Sequence, residues 1–229
     1  MKHSSDVSVA AVAIDGPVGA GKSTIARAAA NRLGFVYCDT GALYRAIGLY
    51  CSRNGVDFKN GSAIAAKLPE ISLKLRIAEG VQRVFLNDED VSEEIRLPEI
   101  SMAASAVSAV PEVRAALLDI QRDMAKHDSV IMDGRDIGTV VLPNADVKIF
   151  LTAKPEVRAK RRYDELVKKG VETTFEEVLA DLNKRDYDDS HRAAAPLRQA
   201  EDAVLADTSE LDFDKSVELV CGIIEKALN

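Results

Sequence analysis

Several features are scarce in this sequence of 229 residues. It has three cysteines, Cys38, Cys51 and Cys221, which are odd in number and far apart, so we expect buried, reduced thiols rather than disulfides. No apolar run approaches the roughly 20 residues that a membrane-spanning helix needs. The chain begins with one lysine and a short apolar run that leads into a glycine-rich loop, which argues against a cleaved signal peptide. We therefore expect a cytoplasmic protein.

Positive charge is also in short supply. Lys and Arg number 30 against 37 Asp and Glu, which gives a formal net charge of −7 at pH 7. This balance argues against nucleic acids and anionic membranes as partners. Any anionic substrate must be held by a local cluster of basic side chains. The length and the 47% share of hydrophobic residues suit one soluble domain with a full core, spanning residues 1–229.

The stretch GPVGAGKST, residues 16–24, matches the phosphate-loop spacing G-x-x-x-x-G-K-[ST]. An apolar, Val-rich run at residues 7–14 precedes it and a helical pattern follows it, which is the context that such a loop requires. Lys22 is predicted to reach the outer phosphates of a nucleoside triphosphate, and Ser23 to ligate Mg²⁺. The predicted nucleotide-binding residues are Gly16, Pro17, Val18, Gly19, Ala20, Gly21, Lys22, Ser23 and Thr24.

The order of elements predicts an α/β protein with a parallel sheet, because strand, loop, helix, strand and helix follow one another from residue 7 to residue 55. Residues 62–99 differ: the stretches ISLKLRIA and VQRVFLN alternate apolar and polar residues, which is typical of an antiparallel hairpin with one wet face. We interpret residues 62–99 as a small inserted β-rich subdomain. Further buried strands are predicted at SVIMD, DVKIFLTA and AVLAD, with helices between them.

The strand SVIMD ends in Asp133, a position where phosphate-loop proteins often place the carboxylate that steadies the metal through water; a plain turn is the alternative. The stretch NKRD at residues 183–186 imitates a guanine-reading motif, but its surroundings have helical spacing. No glycine has an aspartate three positions before it, as a GTPase switch requires. We therefore reject a GTPase.

Transfer to a second molecule requires basic side chains that face the phosphate loop. Arg45 and Arg135 follow predicted strands, and Arg185, Asp189 and Arg192 are spaced to share one helical face if the helix continues as far as Arg192. The alternative for this helical set is an intrahelical ion pair that contributes little. Arg158, Arg161 and Arg162 form a second basic group that is predicted to close over the triphosphate; otherwise it is a solvated helix face paired with glutamates.

Five stretches taken in order make the chain similar to the bacterial-type cytidylate kinases, which are nucleoside monophosphate kinases. They are IDGPVGAGKST, DTGALYRA, EDVSEEIR, DGRDIGTVVLPNADVKIFL and HRAAAPL, and they span nearly the whole chain. The resemblance implies a three-layer fold with a five-stranded parallel sheet, an acceptor-binding insertion and a helical lid at residues 154–170. It also implies ATP and Mg²⁺ as cofactors and CMP and dCMP as the molecules phosphorylated.

The resemblance assigns acceptor roles to ten residues of this chain. Arg45, Arg135 and Arg185 match positions that hold the acceptor phosphate, and Ser105, Arg185 and Asp189 match positions near the sugar. The base is expected to lie among Thr40, Tyr44, Arg114, Asp136 and Arg192. An aspartate accepts a hydrogen bond from the amino group of cytosine but is unpaired against uracil, so Asp136 is expected to favour CMP; a strand-end cap is the alternative.

The expected catalytic residues neutralise charge, and they are Lys22, Arg135, Arg185, Arg158, Arg161 and Arg162. One departure from the family is Val18, which occupies a loop position where serine is common. A kinase for another small acceptor and a phosphate-loop ATPase or regulatory module remain alternatives. Because the sequence shows no obvious assembly motif, we expect a monomer.

Overall fold

The computed structural model describes residues 9–78 and 81–229. In chain order its strands are β1 (Ala11–Asp15), β2 (Val36–Asp39), β3 (Leu73–Ala78), β4 (Val81–Leu86), β5 (Glu89–Asp90), β6 (Val130–Gly134), β7 (Val147–Thr152) and β8 (Val204–Asp207). The α-helices of the described residues are α1 (Lys22–Leu33), α2 (Gly41–Arg53), α3 (Gly61–Lys67), α4 (Pro98–Ser108), α5 (Pro111–Met124), α6 (Pro155–Lys168), α7 (Phe175–His191) and α8 (Phe213–Leu228).

The larger sheet is parallel and has the strand order β2-β6-β1-β7-β8, which confirms the predicted α/β fold. Its central strand β1 is apolar on both faces, and Val12, Ala13 and Ile14 are fully buried between the helix layers. Because parallel strands point the same way, the carboxyl ends of β2, β6 and β1 meet at one edge of the sheet. In open α/β sheets, ligands bind outside the carboxyl ends of the strands, at the point where the strand order reverses.

The smaller sheet is antiparallel and has the order β3-β4-β5, as the alternating pattern predicts. Residues 79 and 80, which separate the two predicted hairpin strands, lie outside the described residues, as do residues 7 and 8 of the first predicted strand. Val84 and Leu86 pack against α2. Gln82 joins this sheet to the main one, because its side-chain amide accepts a hydrogen bond from the Asp39 N–H (2.8 Å) and donates one to the Asp39 carbonyl (3.1 Å).

Two helices lie where the sequence analysis placed none. Residues 61–67 form α3 at the start of the predicted insertion, and residues 98–108 form α4, which packs along α2. The stretch NKRD, which resembles a guanine-reading motif, lies inside α7, whose first turn carries a capping box between Thr174 and Glu177.

The three cysteines are buried and free, as expected. Within the described residues, no helix is both long and apolar enough to cross a membrane.

Candidate active site

One cavity of about 680 Å³ lies at the carboxyl edge of the larger sheet. The phosphate loop lines one end of it through Val18, Gly19, Gly21, Lys22, Ser23 and Thr24. All ten residues expected on the acceptor side line it as well: Thr40, Tyr44, Arg45, Ser105, Arg114, Arg135, Asp136, Arg185, Asp189 and Arg192. The fold therefore brings together residues that are more than 100 positions apart in the chain. Gly16, Pro17 and Ala20 do not line the cavity.

The phosphate loop depends on glycine at the end of β1. A Cβ atom on Gly16 would lie 2.0 Å from the carbonyl oxygen of Leu151, so no larger residue fits there. Gly19 and Gly21 have positive φ angles of 75° and 84°, which disfavour any residue with a side chain. The loop then enters α1, whose first N–H groups have no acceptor within the helix and favour an anion.

Lys22 is the first residue of α1 and is buried beneath the loop. Its Nζ donates a 2.7 Å hydrogen bond to the Pro17 carbonyl. Burial and, secondly, the nearby Arg135 guanidinium lower the pKa of Lys22 to about 7, although Asp133 and Asp15 oppose this shift. The bound phosphates of a nucleotide add negative charge at this point, so they favour the protonated amine.

Ser23 and Asp133, the expected metal residues, are adjacent. The Ser23 hydroxyl donates to one oxygen of Asp133 (2.7 Å), and the Tyr37 hydroxyl donates to the other (2.9 Å). Burial, with the neighbouring Asp39, raises the pKa of Asp133. A hydroxyl and a carboxylate are the hard oxygen donors that Mg²⁺ prefers. Across the described residues, no group of three or more His, Cys, Asp or Glu side chains is arranged to hold a metal ion. The donor set fits a cation that keeps water and substrate phosphates as its other ligands.

Three arginines, Arg45, Arg135 and Arg185, line the middle of the cavity and give it positive charge that suits an anion. Arg45 pairs with Asp39 (2.6 Å), and within the described structure its buried Nε has no hydrogen-bond partner. Arg135 pairs with Asp189 through its Nε (2.8 Å). Arg185 lines the cavity together with Arg135, and burial and, secondly, the positive charge of Arg135 lower the pKa of Arg185. Two neighbouring arginines and an unpartnered donor form a site that a phosphate group would stabilise.

The far end of the cavity contains a buried arginine–aspartate cluster. Asp136 is 4% exposed and lies between two guanidinium groups: Arg114 bonds to its Oδ2, and Arg192 donates to its Oδ1 at 3.3 Å. Arg114 also lies over the Tyr44 ring, 5.5 Å from its centre. These contacts attach Asp136 to side chains that line the cavity, and its role towards a base stays a prediction. Each carboxylate oxygen retains a lone pair for a further donor.

The three arginines of α6 do not form one basic face, contrary to expectation. Arg162 lines the cavity beside Glu165. Arg158 is buried and bonds to the carbonyl oxygens of Ala153 and Val18, and Arg161 bonds to those of Thr208 and Leu211. Positions three and four apart on a helix share a side, but the acceptors that each long side chain finds decide where the guanidinium lies. Arg158 and Arg161 do not line the cavity, so the geometry does not support direct contact with the phosphates.

Sequence reasoning assigned no role to Asp15, Asp39 or Asp186. Asp15 accepts hydrogen bonds from the N–H groups of Ile137 (2.8 Å) and Gly138 (2.7 Å), so it ties the end of β1 to the turn that follows Asp136. Asp39 holds Arg45 at the cavity. Asp15 and Asp39 are the last residues of β1 and β2, and Asp133 is the last residue but one of β6. An aspartate at the carboxyl end of a predicted parallel strand was therefore a signal in the sequence that could have identified Asp15 and Asp39.

The sequence of this chain is similar to those of known proteins. A family model described as cytidylate kinase matches residues 12–226. A protein named cytidylate kinase from Exiguobacterium sp. strain AT1b is 49% identical over 215 residues, which cover 94% of this chain and 96% of that protein. Another of that name, from Caldanaerobacter subterraneus subsp. tengcongensis, is 51% identical with 94% of each chain covered.

One solved structure has a similar fold but a much lower sequence identity. It is an uncharacterised protein from Eubacterium ventriosum with a TM-score of 0.53 and 13% identity, covering 96% of this chain and 99% of that one. At this identity the likeness concerns the fold alone.

Proposed function

This chain belongs to the cytidylate kinase family, and from that premise we propose that it transfers the γ-phosphoryl group of ATP to CMP and dCMP. The observation that carries the proposal is that one cavity is lined at one end by the phosphate loop and at the other by the Arg114–Asp136–Arg192 cluster. A donor nucleotide and an acceptor nucleotide bound at these ends would bring their phosphates together between Lys22 and Arg135. Kinases depend on such positioning and on charge neutralisation.

The charges around the point of transfer come from side chains already in place. Burial and, secondly, the positive charge of Arg135 lower the pKa of both Lys22 and Arg185, so three cations would stand near an anionic transition state and favour it. Arg162 adds a further positive charge from α6. The acceptor phosphate is itself anionic at pH 7, so the reaction needs neither a general base nor a covalent enzyme intermediate.

Mg²⁺ would be held by Ser23 directly and by Asp133 through water, and when bound it supplies charge neutralisation at the phosphates. Tyr37 orients the Asp133 carboxylate through its 2.9 Å hydrogen bond. At the other end Asp136 would accept a hydrogen bond from the amino group of cytosine, while Arg114 and Arg192 would donate to its ring acceptors. Uracil would leave the Asp136 carboxylate facing a carbonyl oxygen, which costs about 1–3 kcal/mol.

The wider assignment follows from the same premise. We propose a cytoplasmic monomer that acts on small nucleotides and not on nucleic acids or membranes, which the net charge of −7 and the free cysteines support. Residues 62–99 would form the acceptor-side insertion and residues 154–170 the lid. Arg158 and Arg161 fasten the first two turns of α6, so closure would move the part that begins at Arg162.

The test is ADP formation from ATP and Mg²⁺, measured in parallel with CMP, dCMP, UMP, AMP and no acceptor. We expect strong turnover with CMP and dCMP only. Turnover with a different acceptor would assign the cavity to another substrate. ADP release that is independent of any acceptor would contradict the proposal and favour an ATPase.

A further inference from the structure

The tip of the phosphate loop is held from outside the cavity. The Val18 N–H donates a 3.2 Å hydrogen bond to Oδ1 of Asp186 in α7. The Val18 carbonyl accepts a 2.8 Å hydrogen bond from a terminal nitrogen of Arg158 in α6. Both polar main-chain groups of one loop residue are therefore bound by side chains from two different helices.

Arg158 and Asp186 also bind each other. The same Arg158 nitrogen lies 2.7 Å from Oδ2 of Asp186, and the Arg158 Nε donates to the Ala153 carbonyl at 2.8 Å. The Arg158 side chain is 4% exposed and that of Asp186 is 22% exposed, so the arginine is the buried member of the pair. A buried ion pair is weak evidence for stability, because removing two charges from water offsets much of their attraction. Its rigid, charge-assisted geometry is well suited to holding a third group in place.

Apolar packing adds a further attachment. The Val18 side chain packs against the cluster that Ala159, Val178 and Leu182 form between α6 and α7. At Gly19 a Cβ atom would lie 3.4 Å from both the Arg158 Cβ and a methyl group of Leu182, so the loop backbone already touches these helices. The loop position is thus set by two hydrogen bonds and by close packing.

We propose that Val18, Arg158 and Asp186 form a loop anchor, in which Arg158 and Asp186 are positioning residues that hold the phosphate loop in its triphosphate-binding shape. The inference rests on the proposed function, since it assumes that a triphosphate occupies this loop. Arg158 was expected to contact the phosphates of the nucleotide, and the loop anchor instead gives it the role of supporting the loop that binds them. Because α7 also carries Arg185 and Asp189, the loop anchor fixes the distance between the donor loop and part of the acceptor site.

The acceptor side has its own attachments. The Arg135–Asp189 pair and the Arg114–Asp136–Arg192 cluster contain none of the loop-anchor residues. Weakening the loop anchor should therefore impair the binding of ATP and leave the binding of CMP unchanged. A purely structural role would weaken both, because α7 would move as a whole.

The experiment measures the Kd of Mg·ATP and the Kd of CMP separately, by calorimetry, and kcat at saturation. For Asp186→Asn we expect the Kd of Mg·ATP to rise about 10- to 100-fold, because a charged group loses its partner, while the Kd of CMP stays within about twofold. The matched control is Asp188→Asn, which removes an exposed pair with Lys184 on the same helix and should change each Kd by less than about twofold.

A second variant controls for the possibility that Asp186→Asn fails to fold. The melting temperature of each variant shows whether it is folded. Arg158→Gln combined with Asp186→Asn leaves no unpaired buried charge, and we expect the same selective loss of ATP affinity. ATP affinity equal to that of the unaltered, folded protein would overturn the inference, as would equal losses for ATP and CMP. A fall in kcat alone would place Arg158 on the reacting phosphates and would also overturn it.

Failure of this inference and failure of the proposed function are distinguishable. The Kd of Mg·ATP is measured without an acceptor, so it tests the loop anchor whether or not CMP is phosphorylated.

Discussion

The two ends of the cavity are built in different ways. The donor end uses nine contiguous residues, 16–24, whose glycines and main-chain N–H groups shape one loop. The acceptor end uses side chains from α2, α4, α5, α7 and the turn after β6. Its ion pairs join residues 22, 54 and 56 positions apart. A loop of main-chain donors recognises any triphosphate, whereas a fixed set of charged side chains discriminates between bases.

The ends also differ in how their charges are balanced. Lys22 donates to a main-chain carbonyl, and burial lowers its pKa. Arg114, Arg135 and Arg192 are each paired with a carboxylate. Removal of Lys22 therefore breaks one hydrogen bond to the main chain, while removal of a charged side chain at the acceptor end breaks an ion pair and leaves the charge of its partner in place. The following predictions test this contrast.

The largest effect is expected for Lys22→Met. Loss of a positive charge that faces the transferring group should lower kcat about 10²- to 10³-fold. The Kd of CMP should stay unchanged, because the acceptor site has its own ion pairs. Steady-state kinetics together with calorimetry of CMP binding measure both. A comparable loss of CMP affinity would mean that the two ends are not separate.

Asp136→Asn tests discrimination at the acceptor end. The ratio of kcat/KM for CMP to that for UMP should fall about 10- to 100-fold, because the amide offers uracil a donor that the carboxylate lacks. The matched control is Asp189→Asn, which removes the same charge beside Arg135 and should slow both acceptors alike. A uniform loss for Asp136→Asn would argue against base recognition by Asp136.

Proton uptake distinguishes the ends without measuring turnover. Because the pKa of Lys22 is lowered to about 7, its amine is mostly neutral in the free protein at pH 8. Binding of ATP should restore the proton, so we expect an uptake of about one proton per ATP at pH 8 and much less at pH 6. Calorimetry in buffers of different ionisation enthalpy measures this number. The uptake should disappear in Lys22→Met; if it persists there, another group titrates.

Asp15 joins the two ends and gives the smallest predicted effect, on stability. Burial raises the pKa of Asp15 from 3.8 to about 6, so between these values the folded protein binds more protons than the unfolded chain. Its contribution to the free energy of unfolding is full below pH 3.8 and is lost as the pH rises through 6. Asp15→Asn should make the slope of that free energy less negative by up to about 1.4 kcal/mol per pH unit.

Urea unfolding at pH 4, 5 and 6 measures that slope. An unchanged slope in Asp15→Asn would show that other groups control the acid dependence.

Much of the fold was predictable because its signals are local. The strand–loop–helix order, the alternating hairpin and the helix that begins after Thr174 each depend on spacing within a few residues, and each lies where the sequence predicted it. The helix α4 was not predicted, since its sequence PEISMAASAVS is apolar and small on most sides and shows little periodicity.

The site divides in the same way. Gly16, Lys22 and Ser23 were identifiable from spacing alone, because the loop that they shape is one continuous piece of chain. Position and helical spacing indicated Arg45, Arg135, Arg185, Asp189 and Arg192 as a charged group. The remaining acceptor residues were found only through the resemblance, since Asp136 acquires Arg114 and Arg192 as partners only after α5 and α7 have packed. Nothing local indicated that Arg158 and Arg161 lie away from the cavity.

By itself the sequence determined a phosphate loop, the strands that lead into the site and the net charge of −7. The tertiary structure alone decided which arginines face the substrate cavity, and that Asp186 holds Val18 from a helix 168 residues away. The physical reason is that periodicity specifies the side of a helix, whereas a long charged side chain goes to whichever carbonyl or carboxylate the packed fold places within hydrogen-bond distance.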